Sequence, residues 1–133
     1  MHFVNMRISG ENLDFEKIDR IIKMDNVKTL KKGDVHIKHG EKIIIQEDVW
    51  QCSCEIKDDV NLQKGIEDFI CKIYEYHSFV NELSSSAYTS LWVTVYPEKV
   101  QLNFQLSNSM LRKLYNMGIN FDLTIMNLNE LYR

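Results

Sequence analysis

With 133 residues, 44% of them hydrophobic and 26% charged, the chain is one domain by length (1–133) and long enough to bury a core without staples. No apolar run approaches the ~18 residues of a membrane span, and the N-terminus lacks the charged start and apolar core of a signal peptide, so a cytoplasmic protein away from the membrane is expected. A formal charge of −3 with no basic stripe argues against nucleic-acid binding, which rests on neutralising phosphates.

His2 to Ile8 reads as a strand, with Val4, Met6 and Ile8 facing one way and Asn5 and Arg7 the other. Ser9 to Asn12 is a turn, and Asp14 is placed to cap a helix running to about Met24 on a stripe of Phe15, Ile18, Ile21 and Ile22. Asp25 to Asp34 reads as an irregular, Lys-rich connection. Its Lys31-Lys32-Gly33 suits a turn with a positive-φ glycine better than a phosphate loop, because a strand follows and further glycines are missing. Val35 to Gln46 holds one strand or a ragged hairpin turning at His39-Gly40. Val49 to Ile56 alternates cleanly, with Trp50, Cys52, Cys54 and Ile56 inward and Gln51, Ser53 and Glu55 outward.

Asp58-Asp59 puts negative charge at the start of the longest helix, which keeps an apolar stripe from Leu62 to Leu83 and ends at Ser84-Ser85-Ser86. Ser90 to Tyr96 is the next strand. Pro97-Glu98-Lys99 then reads as a reversal into Val100 to Leu106, the most regular alternation in the chain, so these two are expected to form an antiparallel hairpin. Ser107 caps a third helix ended by Gly118, and Ile119 to Ile125 is the last strand. The expected order is β-α-β-β-α-β-β-α-β. It describes an α+β two-layer sandwich, a largely antiparallel sheet with helices on one face.

The chemistry-bearing residues form no strong constellation. Cys52, Cys54 and Cys71 are odd in number, and a Cys-x-Cys inside an alternating strand lacks the turn-borne pairs of a zinc site, so buried reduced thiols are expected and no metal. Cys71 and His77, six residues apart, lie on different faces of a regular helix. There is no Gly-x-Ser-x-Gly, no nucleotide loop and no calcium loop; no catalytic residue and no cofactor is assigned. What stands out is the polar side of the strands: Arg7, Glu55, Trp92, Tyr96, Gln101, Asn103, Gln105 and Asp122 would share one face if the alternations share a register. Amides with polar-tipped aromatics suit a recognition surface. A merely hydrated face, or one covered by Asp25 to Asp34, is the plainer alternative.

Phe3-Val4-Asn5-Met6-Arg7-Ile8-Ser9-Gly10 with Leu13-Asp14, then Lys32-Gly33 and Trp50, then Leu114-x-x-Met117-Gly118-Ile119-x-x-Asp122 together resemble the bacterial domain-of-unknown-function 4279 family. One departure is visible, since the loop after the first helix lacks the proline expected there. The resemblance implies a compact bacterial domain, and small domains of that general sort include immunity proteins that neutralise toxins; it carries no catalytic residue over. Gln46 to Val80 has 3 Lys and Arg against 8 Asp and Glu, a balance of −5, which suits a basic partner as well as a solvated helix face. Two functions follow as expectations: a non-enzymatic protein-binding module, in one version an immunity-like inhibitor of a basic toxin, or a small-molecule or enzymatic site with Arg7, Glu55 and Asp122 in one pocket.

Overall fold

In a computed structural model of the chain, which describes residues 2–57, 60–96 and 104–126, the first strand alternates as its sequence requires. In β1 (His2–Gly10), Val4, Met6 and Ile8 are fully buried while Phe3, Asn5 and Arg7 are half-exposed. The chain continues through α1 (Phe15–Ile21), β2 (Val27–Leu30), β3 (Val35–Lys38), β4 (Glu41–Ile44), β5 (Asp48–Ile56), α2 (Leu62–Tyr74), α3 (His77–Ser84), β6 (Tyr88–Val95), α4 (Asn108–Met117) and β7 (Asn120–Ile125). The five-stranded sheet has the order β2-β5-β1-β6-β7; β6 and β7 run parallel and the other neighbours antiparallel, while β3 and β4 form a separate two-stranded ribbon.

One face of this sheet supplies Val4, Met6, Ile8, Trp50, Cys52, Leu91 and Val93 to a single buried cluster with Ile18, Ile66, Ile70, Ile73, Val80, Leu114 and Met117 of the four helices. The fold is α+β, and the alternating strands and the 3.6-residue helical stripes meet in that cluster. Helix starts are fixed by side chains that satisfy free backbone donors: Asp14 accepts from Lys17 N–H at 3.1 Å, Asn61 from Lys64 N–H at 3.1 Å and Ser107 from Met110 N–H at 3.3 Å. Gly118 ends α4 in the left-handed region at φ +72°. Asp48 ties the chain together at the start of β5, its buried carboxylate accepting from Leu13 N–H at 3.0 Å and Lys32 N–H at 2.8 Å.

Up to α3 the element order departs from the expectation at β2 and at a break in the long helix, and one open alternative is decided. The connection from Asp25 to Asp34 contains β2, a strand whose residues stay largely exposed and which pairing with β5, not a hydrophobic pattern, holds in place. The second of the two readings of Val35 to Gln46 is the one found: β3 and β4 turn at His39 and Gly40, whose φ values of +53° and +78° suit a tight hairpin. The long helix is broken at Glu75 and Tyr76 into α2 and α3, with the Tyr76 hydroxyl donating to the Lys23 carbonyl at 3.2 Å. Its cap is Asn61; Asp58 and Asp59 lie outside the described residues.

The turn and most of the second strand of the expected hairpin between Ser90–Tyr96 and Val100–Leu106 lie outside the described residues, and β6 offers it no edge. Both edges of β6 are taken, one by β1 and the other by β7, and residues 104–106 are not in a strand; Phe104 and Leu106 pack partly buried against the core instead. Residues 97–103 lie outside the described residues. A strand has only two edges, so polar alternation alone cannot secure a place in a sheet.

Candidate functional site

Strand registers decide which polar side chains are neighbours. Asn5 lies opposite Trp92 on β6 and opposite Ser53 on β5, and Trp92 lies opposite Asp122 on β7, giving one line across four strands on the face turned away from the helices. The next line places Arg7 between Gln51 and Ser90, with Asn120 beyond and Lys28 of β2 at the other end. Trp92 is half-buried, and its indole N–H donates to Ser90 Oγ at 2.6 Å, which holds the ring in one orientation. Tyr96, half-buried just past β6, meets the Phe3 ring edge-on at 6.3 Å, and its backbone N–H donates to His2 Nδ1 at 3.1 Å.

The other sequence-derived candidates fall elsewhere. Glu55 shares the face but sits opposite Phe3, four residues along β1 from Arg7, roughly 13 Å at the rise of a strand. Asp122 is two strands from β1. Arg7 lines a cleft of about 330 Å³ with Ser9, Leu30, Val49 and residues 43–47, while Glu55 lines a different one. Arg7, Glu55 and Asp122 therefore share a face but not a pocket. Gln105 is exposed ahead of α4, outside any strand, and Gln101 and Asn103 lie outside the described residues. The corner of the face near Arg7 is bordered by residues 43–47 and, from Asp25–Asp34, by Leu30.

Sequence reasoning missed the larger cleft, about 610 Å³, at the edge of the sheet. It opens because β2 stops short: its pairing ends at Val27 opposite Cys52, and Asn26 takes a left-handed φ of +56° that turns the chain away. Residues 53–56 of β5 therefore have no strand beside them on this side among the described residues. α2 roofs the cleft and approaches closely because Gly65 has no Cβ; one added there would lie 2.9 Å from Ile56 Cδ1. Met24, Ile56, Val60, Phe69 and Tyr76 make the apolar part of the lining, with Lys23, Lys57, Lys72, Asp25, Asp68 and Glu75 around it.

The cysteines differ in what they can do. Burial pushes the Cys52 thiol from 9.0 up to about 12, so it is a protonated core group at neutral pH. Cys54 is half-buried in the edge cleft and Cys71 is exposed on α2. Among the described residues no three His, Cys, Asp or Glu side chains are grouped to hold a metal ion. No helix among them is long and apolar enough to cross a membrane.

Compared with known proteins, the chain matches the model of the family described as domain of unknown function (DUF4279) over residues 1–128. No curated protein and no solved structure matches it. The match covers nearly the whole chain, so the chain belongs to the DUF4279 family.

Proposed function

We propose that this member of the family is a non-enzymatic protein-binding domain whose open sheet face receives the partner. The observation that carries the reading is Trp92: a large aromatic at the middle of a polar face, fixed by Ser90 at 2.6 Å and flanked in register by Asn5 and Asp122. A rigid aromatic loses little rotamer entropy on binding, and such residues dominate interface energetics when water is excluded around them. Glu55 and Asp122 on this face and the formal charge of −3 of the chain support a basic partner, and an immunity-like inhibitor of a basic toxin is the version we adopt. The test is quantitative capture on the tagged chain from the source cells. A protein retained by the wild type should be lost with Trp92→Ala, with binding weakened about 30-fold or more. It should be kept with Tyr115→Ala, which removes an exposed ring on α4, away from this face. Equal retention by Trp92→Ala sinks the reading.

A further inference from the structure

The edge cleft carries a second inference, which depends on the first only in taking the partner to be a protein. The direction of the main chain along β5 follows from two independent hydrogen bonds. Asn26 Nδ2 donates to the Ser53 carbonyl at 3.3 Å, so Ser53 turns its backbone polar groups toward the β2 side. At the far side of the sheet, Met126 N–H donates to the Val95 carbonyl at 2.9 Å, which points the odd residues of β6 at β7 and its even residues at β1. Carried through the two antiparallel registers, this gives the same answer: even residues of β5 face β1, and Ser53 and Glu55 face the open edge. Among the described residues, the Glu55 carbonyl there accepts from the Cys54 thiol at 3.6 Å, a weak donor.

Asn26 already holds the Ser53 carbonyl, but the Glu55 N–H and C=O face this edge with no backbone partner among the described residues, and such an edge is a template for another strand. Here it borders a roofed cleft, so an added strand would bury side chains as well as pair its backbone. Side chains of such a strand alternate in step with β5. The residue opposite Cys54 would enter the cleft below α2, near Met24, Phe69 and Tyr76, and should be apolar. The residue opposite Glu55 would stand on the open face beside an exposed carboxylate, and directly opposed opposite charges stabilise a strand pair.

We infer that the β5 edge from Ser53 to Ile56 accepts an extended segment of a partner protein as an added antiparallel strand, with an apolar residue opposite Cys54 and a lysine or arginine opposite Glu55.

The probes are two capped hexapeptides, Thr-Val-Lys-Val-Lys-Val and its counterpart with glutamate for lysine, titrated to millimolar concentration into the ¹⁵N-labelled full chain. The lysine peptide should shift the Ser53, Cys54 and Glu55 amides and slow exchange of the Glu55 N–H at least tenfold, while the glutamate peptide binds more weakly. Glu55→Lys, an exposed position, should weaken the lysine peptide on the order of five- to thirty-fold and reverse the preference. A lysine peptide N-methylated along the edge that meets β5 should not bind. Trp92→Ala should bind the lysine peptide as the wild type does, so failure of the open-face reading leaves this one standing. No binding, equal binding of both peptides, or shifts centred on Trp92 would overturn it.

Discussion

Replacing Gly65 with alanine puts a methyl group where α2 crosses the end of β5. The new Cβ would lie 2.9 Å from Ile56 Cδ1, 2.9 Å from Cγ2 and 3.0 Å from Cγ1, against roughly 3.5–4.0 Å for carbon atoms at rest. Turning χ2 of Ile56 moves Cδ1 alone, so the buried side chain or the helix must shift as a whole. Overpacking of this kind costs about 1–3 kcal/mol, and alanine returns about 1 kcal/mol through helix propensity. The net expectation is a loss of up to about 2 kcal/mol in urea unfolding followed by circular dichroism. Ile56→Ala removes all three opposing atoms, so in that background Gly65→Ala should stabilise by about 1 kcal/mol. The sign reversal is the diagnostic part, because it reports the contact and not the residue. If Gly65→Ala stabilises the otherwise unchanged protein, α2 does not approach β5 as described and the roof of the cleft is misplaced.

Two further outcomes follow from buried groups. Asp48→Ala leaves the N–H groups of Leu13 and Lys32 without their acceptor and should cost about 2–4 kcal/mol in denaturant unfolding. Asp48→Asn keeps one accepting oxygen and should fall between the two; equal losses would mean the paired acceptance is unimportant. Cys52, raised from 9.0 to about 12 by burial, keeps its proton in the folded state while the unfolded chain loses its own. Its stabilising contribution is therefore fully present below pH about 9 and declines as pH rises toward 12. In thiol alkylation at pH 8 the exposed Cys71 should react first and Cys52 only on unfolding; Cys52 reacting as fast as Cys71 would contradict its placement.

How much could be read in advance follows from which residues touch the core. β1, β5 and β6 bury one face, so Val4, Trp50 and Leu91 had to alternate with Asn5, Gln51 and Trp92, and the shared polar face was legible from that period alone. β2 was not legible, because Val27, Lys28 and Thr29 are exposed and its place comes from pairing with β5. The alternation of Val100–Leu106, of which 104–106 are described and lie in no strand, could not reveal that β1 and β7 already occupy both edges of β6. The Phe121, Leu123 and Ile125 side of β7 had the core pattern but stands 36%, 44% and 63% exposed at the sheet margin. The cleft itself was hidden in a mismatch of lengths, four residues of β2 beside nine of β5. A turn-forming Asp25-Asn26 ahead of so short a strand was the available signal.

Amide hydrogen exchange along β5 in the free protein bears most directly on the open edge. Cys54 N–H faces β1 and should be protected, Gln51 N–H faces β2 and should be protected, and Glu55 N–H should exchange close to the rate of an unstructured peptide. Protection of Glu55 equal to that of Cys54 would show that the edge is already occupied in the free protein, leaving no place there for a partner's strand.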